Sequence, residues 1–424
     1  MDMGLGRWNF VGRTFAWLLL VGVYLAGATG LCGGQGESGS RWHRLYDAHD
    51  WFGLRDAIAE GGAPLFYRGA SESVFNQIKP AEKDLEAVIQ AAPHSEDAHE
   101  ARALLAQLYF RNGLYRESYV QLEAMEVEDP SAQDVKNMSS LLRVLSRWDQ
   151  VVVAKRESTL PMFMNGSGVY LPITLDGHEA HYSLDSGASP SLMSESEAKR
   201  LGLEVVDTTT QMGSVTAQHF GARIAFVKDL VIGGLHVQNV AFDVLPDAQE
   251  PFVDSPEEQR GILGMPVLLA METFRWEPKG TFALGFTPKR RDLSVANLAF
   301  DGMTPFTQVG VEGRKFEFSL DTGETSSILY APFAKAFPEL IKASGKKESH
   351  KLTGVAGSAN YDSIVLPSVT LTLGGFETRL APAPVLVQES TDKSNLVFGN
   401  LGRDLLNQAR AITVDLHAMT LRLQ

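Results

Sequence analysis

The chain has 424 residues, 44% hydrophobic and 21% charged, which is ordinary usage for a packed globular protein of about two to four domains. A net charge of −13 argues against a nucleic-acid partner, because phosphate would be repelled at physiological salt. A single cysteine excludes an intrachain disulfide.

At the N-terminus, Arg7 and Arg13 precede an apolar run from Phe15 to Leu25, and Ala26-Gly27-Ala28 has the small-x-small form of a signal-peptidase site. Residues 1–28 therefore read as a signal peptide, and a secreted or periplasmic protein is expected. The apolar run is shorter than the roughly 20 residues of a comfortable membrane span. No integral membrane domain is expected, an uncleaved signal anchor being the one exception left open. Residues 29–40 form a Gly/Ser-rich flexible linker that contains Cys32. Leu31, just before the cysteine, departs from the small residue of lipoprotein signals, so the linker reading is favoured over lipidation.

From 41 to 150 the hydrophobic period is helical. Helices are expected over 83–91, 101–110, 115–125 and 132–148. Arg111-Asn112-Gly113-Leu114 joins the middle two, and small residues at Ala101, Ala103 and Ala106 permit close packing. The spacing resembles tetratricopeptide-type repeats, two to three in all. Two roles follow for this region: a helical spacer packed against the rest and dispensable for chemistry, or a groove for a protein partner. The first is favoured, because repeat helices need neighbours simply to bury their apolar faces. Asn137-Met138-Ser139 fits a glycosylation sequon, a pattern that also arises by chance.

The remainder is β-rich and duplicated. Ser183-Leu184-Asp185-Ser186-Gly187 recurs as Ser319-Leu320-Asp321-Thr322-Gly323, 136 positions later (321 − 185), and the preceding turns Asp176-Gly177 and Glu312-Gly313 recur at the same offset. Residues 183–201 align with 319–337 without gaps, with seven of 19 positions identical. Each copy reads strand, turn, strand, loop, short helix. The first helix has the capping-box pattern Ser194-Glu195-Ser196-Glu197 and a closing Gly202, the second a first-turn Pro332 and a terminating Pro338. Downstream, glycine-bearing hairpins centre on Gly213 and Gly354, and Gly233-Gly234 and Gly374-Gly375 form tight turns. Ile262-Leu263-Gly264 and Val397-Phe398-Gly399 then lie 79 (264 − 185) and 78 (399 − 321) residues after their aspartates.

These paired features resemble the retropepsin-like and pepsin-like aspartic proteases over roughly 60% of the chain. The resemblance implies a mainly β, two-lobed acid-protease fold (151–290 and 291–424) preceded by the α-helical repeat domain (41–150), a multi-domain chain. It also implies that Asp185 and Asp321 form a catalytic dyad. Ser186, Gly187, Thr322 and Gly323 would support the active loops, Gly264 and Gly399 would lie on late strands beneath them, and Gly213 and Gly354 would belong to flaps. The implied substrate is a peptide or protein. One position departs from the pattern: Glu324 stands where Ala188 stands in the first copy and where the family carries a small residue. It either faces solvent or adds a third carboxylate that raises the dyad's proton affinity. The competing reading is a non-catalytic protease-like scaffold with the helices performing recognition. The ten His are scattered without a metal-ligand pattern, and no cofactor is expected. His219 and Tyr361, which follow the flap glycines, read as ordinary hairpin residues.

Overall fold

The computed structural model describes residues 39–165, 168–213, 219–253, 255–354, 357–387 and 397–424. The signal peptide, Cys32 and nearly all of the linker lie outside these. Seven helices come first: α1 (Arg41–Asp47), α2 (Trp51–Ala59), α3 (Leu65–Val74), α4 (Ile78–Ala91), α5 (Glu96–Arg111), α6 (Tyr115–Glu128) and α7 (Gln133–Leu145). Each packs on its successor. Gly113 turns the chain between α5 and α6 at a φ of +72°, a conformation that suits glycine. α4 begins five residues before the expected 83 because Pro80 occupies its first turn, where no backbone N–H is needed. α5 likewise begins earlier, at a Ser95 cap whose hydroxyl accepts from the Ala98 N–H at 3.1 Å. Among the described residues no helix is long and apolar enough to cross a membrane.

The first β-rich half runs β1 (Val151–Lys155), β2 (Ser158–Pro161), β3 (Phe163–Asn165), β4 (Gly168–Leu175), β5 (His178–Leu184), β6 (Ser191–Ser194), α8 (Glu195–Arg200), β7 (Val206–Gly213), β8 (His219–Ile232), β9 (Leu235–Leu245), β10 (Gly261–Leu263), α9 (Met265–Met271), β11 (Thr273–Glu277) and β12 (Thr281–Leu284). The second runs β13 (Leu298–Asp301), β14 (Thr304–Val311), β15 (Arg314–Leu320), β16 (Ile328–Leu329), α10 (Ala331–Ala336), α11 (Pro338–Ser344), β17 (Lys346–Gly354), β18 (Gly357–Leu366), β19 (Val369–Leu373), β20 (Phe376–Leu380), β21 (Ala383–Leu386), β22 (Gly399–Leu401), α12 (Arg403–Leu406), β23 (Ile412–Asp415) and β24 (Thr420–Leu423).

One sheet belongs to each half. The first has the order β1-β9-β6-β10-β5-β4-β8-β7, with β3 on β4, and the second has β17-β18-β21-β16-β22-β15-β14-β19-β20, with β13 on β14. The duplication is visible in the pairing. β10 lies parallel to β5 with Ile262 opposite Ser183, and β22 lies parallel to β15 with Asn400 opposite Ser319. The turns behind the loops are two-residue turns with both residues at positive φ, Asp176 and Gly177 at +46° and +85°, Glu312 and Gly313 at +49° and +77°. The halves differ where β8 and β9 run unbroken while the second copy is split into β18/β19 and β20/β21. Pro367 and Pro382 fall in those two breaks, and proline cannot donate to a ladder. A five-stranded sheet, β2-β12-β11-β23-β24, joins the halves, with Thr273 opposite Asp415 and Trp276 opposite Ile412. Pro338 ends α10 as expected from sequence and also opens α11.

The helical region shares its core with both halves. One apolar cluster contains Phe52, Tyr67 and Leu105 together with Leu298, Phe300 and Phe318, and a second joins Phe110, Met125, Met138 and Leu142 to Ala222, Ile224 and Ala241. Arg111, 1% exposed, bridges them. Its Nε donates to Asn76 Oδ1 at 3.1 Å, one Nη to the Gly302 carbonyl at 3.0 Å, the other Nη to the Ser73 carbonyl, and the guanidinium lies 4.9 Å from the centre of the Phe300 ring. The Glu317 carboxylate accepts from the N–H groups of Trp51 and Phe52 at the start of α2, where helix donors lack intrahelical partners.

Candidate active site

Each aspartate sits where a strand ends. The Asp185 N–H donates to the Leu263 carbonyl and the Asp321 N–H to the Leu401 carbonyl, both at 3.0 Å, so the late strands β10 and β22 fix where each loop begins. Inside the loops the carboxylates fold back on their own backbone. Asp185 Oδ1 accepts from Gly187 N at 2.7 Å, and Asp321 Oδ1 accepts from Gly323 N at 3.0 Å and Glu324 N at 3.1 Å.

The two loops interlock through their hydroxyl residues. Ser186 Oγ donates to the Leu320 carbonyl at 2.8 Å and accepts from Thr322 N at 3.0 Å. Thr322 Oγ1 donates to the Leu184 carbonyl at 3.4 Å and accepts from Ser186 N at 3.0 Å. Four buried hydrogen bonds thus hold together segments 136 residues apart. Glycine is required between them: a Cβ on Gly187 would lie 3.0 Å from Asp321 Oδ2, and one on Gly323 would overlap the Asp185 carboxyl group. Asp185, Ser186, Gly187, Asp321, Thr322 and Gly323 are therefore brought together.

The carboxyl groups of Asp185 and Asp321 are buried and flank the same glycine, a Cβ on Gly187 lying 3.0 Å from Asp321 Oδ2 and 3.1 Å from Asp185 Oδ1. Burial pushes Asp185 up to about 6, opposed by the Gly187 N–H bond and by the charge on Arg403. Burial also raises Asp321, and the negative charges of Asp185 and then Glu324 raise it further, well above the carboxylate range. Asp321 Oδ2 faces no donor among the described residues. A proton on that oxygen removes the difficulty, because it then donates to Asp185.

Glu324 does not face solvent. It is 1% exposed, its Oε1 accepts from Thr325 N at 2.9 Å and Ser326 N at 3.1 Å, and its charge is felt by Asp321. Arg403, at the start of α12, is also buried and lies within the field of Glu324, Tyr170, Asp321 and Asp185. Sequence reasoning missed Arg403 and Tyr170.

The late glycines need one correction. Gly264 follows β10, but its counterpart is Gly402, not Gly399. Gly399 opens β22 and matches Gly261, since a Cβ at either would strike the aromatic ring at the aligned positions Tyr182 and Phe318. Gly264 and Gly402 instead press on the carbonyls of Ala188 and Glu324, and their N–H groups donate to the hydroxyls of Ser191 (3.0 Å) and Ser327 (2.8 Å). The signal present in the sequence was Gly-x-Leu-Gly, Gly261-Ile262-Leu263-Gly264 and Gly399-Asn400-Leu401-Gly402. The polar Asn400 hid the second copy from a search for an apolar pair.

Both hairpins expected as flaps form, Gly213 pairing with His219 and Gly354 with Gly357. Their tips, 214–218 and 355–356, and the His219 side chain lie outside the described residues. Tyr361 packs, half-buried, against Phe306, Ile328 and Tyr330. The first flap strand is fastened to α7: Asn137 Nδ2 donates to the Gln211 carbonyl and Asn137 Oδ1 accepts from Gln211 N, each at 2.9 Å, while Thr210 Oγ1 donates to the Asn137 carbonyl at 2.8 Å. The Asn137 amide is thus engaged with the backbone of Gln211. Among the described residues no group of three or more His, Cys, Asp or Glu is placed to hold a metal ion.

Residues 171–267, which include the first Asp loop, the first flap hairpin and Gly264, match the family model described as "Aspartyl protease". Among solved structures the chain is similar to a retropepsin-like aspartic protease from Rickettsia conorii, at 18% identity over 32% of this chain and 94% of that one, with a TM-score of 0.22. No curated protein matches. The family match supports an aspartic protease.

Proposed function

We propose that the chain is an exported aspartic-type endopeptidase in which Asp185 and Asp321 activate a water for peptide hydrolysis. The observation that supports this reading best is the pair of interlocked loops, which bring two buried carboxyls to either side of Gly187. Ionised Asp185 takes a proton from the water as its oxygen attacks the scissile carbonyl carbon, while Asp321 donates its proton to the carbonyl oxygen. The resulting tetrahedral diol collapses when the amide nitrogen receives the proton held on Asp185 and the C–N bond breaks. The diol then returns a hydroxyl proton to Asp321, which restores the starting pair.

Two lobes, divided near 290, would enclose an extended peptide, whose backbone pairs with flap strands as an added β-strand does. The helical region, read as a tetratricopeptide-like array, would position the first flap through α7. Export rests on the signal-like residues 1–28.

Purified protein lacking residues 1–28 is expected to cleave unfolded polypeptides, to be blocked by a statine-type mimic of the diol and to be indifferent to chelators. Because Asp185 must be ionised and its value is raised to about 6, the acid limb of kcat/KM should fall near pH 6. Loss of cleavage on chelation, with no effect of the statine, would contradict the mechanism.

A further inference from the structure

We propose that Glu324 and Arg403 form a positioning pair that polarises the dyad, holding the proton on Asp321 and the charge on Asp185. The inference rests on the proteolytic reading above and adds to it the assignment of roles between two aspartates that the duplication would otherwise leave equivalent.

The protein contains its own control. In the first copy Met265 N donates to the Ala188 carbonyl at 2.8 Å, and in the second Arg403 N donates to the Glu324 carbonyl at 2.9 Å. The same backbone bond therefore joins the Asp loop to the helix behind it in both halves, with Ala188 and Met265 in one and Glu324 and Arg403 in the other. The first copy shows that two apolar residues satisfy the fold at this place. Burying an acid and a base there instead costs desolvation that a well-packed apolar pair avoids, so stability does not account for the charges.

Their placement accounts for them. The Glu324 carboxylate is drawn to its own loop by the N–H groups of Thr325 and Ser326, beside Asp321, and negative charge there favours a proton on Asp321. Arg403 is buried within the field of Glu324, Asp321 and Asp185, and its positive charge opposes the rise in Asp185's proton affinity. Two other titratable groups border the pair. Tyr170, from β4, acts on Arg403 electrostatically. Asp404 is turned away, its Oδ1 accepting from Ser327 N at 2.9 Å and Ser327 Oγ at 2.6 Å. Neither supplies a second charge on the Asp185 side. An ionised base opposite a protonated acid is the arrangement that attack by water requires.

The test uses Glu324→Gln, which retains an oxygen for Thr325 N and Ser326 N, with Glu324→Asp as the variant that keeps the charge. The pH dependence of kcat/KM is measured on one peptide, and the carboxyl carbons of 13C-labelled aspartate are titrated by NMR in the same full-length mature proteins. Glu324→Gln should move the basic limb, and the higher of the two dyad titrations, to lower pH by about one unit. Glu324→Asp should stay near wild type. Arg403→Met, which copies the first half, should move the acid limb to higher pH. Superimposable titrations in wild type and Glu324→Gln overturn the proposal. If the wild type cleaves nothing, the proteolytic reading fails, and the NMR titration still decides whether this pair biases the proton.

Discussion

Asp185→Asn and Asp321→Asn are each expected to lower kcat/KM by about a thousandfold or more, with the double variant scarcely worse than either single. On the proposed mechanism the two carboxyls hold one proton between them, so removing either removes both the base and its complementary acid. The loss should not come from unfolding. An asparagine oxygen can still accept the Gly187 or Gly323 N–H, and the Ser186–Thr322 interlock does not use the carboxyls. Stability should in fact shift the other way at alkaline pH. A carboxyl whose value is higher in the fold than in the unfolded chain binds its proton more tightly in the fold. Its stabilising effect is present below the unfolded value and is lost as pH rises through the folded one. For Asp185 that window runs from 3.8 to about 6. Above it the native site carries a buried charge that Asn removes, so Asp185→Asn should match or exceed wild type in denaturant midpoint at pH 8 while being inactive. Substantial turnover in either single variant would show that the aspartates do not act as a unit.

A chain beginning at Glu157 is expected to lose its cooperative melting transition. Read from sequence, the helices were a spacer dispensable for chemistry. The shared core changes that expectation. Truncation exposes Ala222, Ile224, Ala241 and Phe300, strips β1 from the edge of the first sheet, and leaves the Gly302 carbonyl, the Glu317 carboxylate and the Gln211 backbone without their partners from Arg111, α2 and Asn137. Exposing the apolar surface that the helices cover, at about 25 cal/mol per Å², rivals a total stability of about 5–15 kcal/mol. Arg111→Met provides a graded version that removes the bridge alone. Circular dichroism melting of both proteins makes the comparison. A truncated chain that melts sharply and still cleaves a short peptide would restore the spacer reading.

What the sequence disclosed was whatever repeated. The Asp loops, their leading turns and the short helices after them recur at one offset of 136 residues (321 − 185), the Gly-Gly turns recur 141 residues apart (374 − 233), and a duplicated unit needs no outside alignment to be seen. What escaped was either unpaired or disguised. Arg403 matches a methionine, so comparing the copies gave no reason to single it out. Gly402 was hidden by Asn400, because the motif depends on a glycine packing against a carbonyl and not on two apolar neighbours. Asn137 acts on the flap across 74 residues of sequence, a pairing that local pattern does not encode. α1 to α3 were seen only as general helical periodicity, since their caps are short and their apolar faces meet partners from the far end of the chain.

The measurement that bears most directly on the two aspartates is a crystal structure of the mature protein with a statine-containing peptide. The account predicts the statine hydroxyl within about 2.6–3.2 Å of carboxyl oxygens from both Asp185 and Asp321, with the peptide extended beneath the two flap hairpins. A statine hydroxyl bound away from the pair, or touching one aspartate while the other lies beyond hydrogen-bond reach, would contradict it.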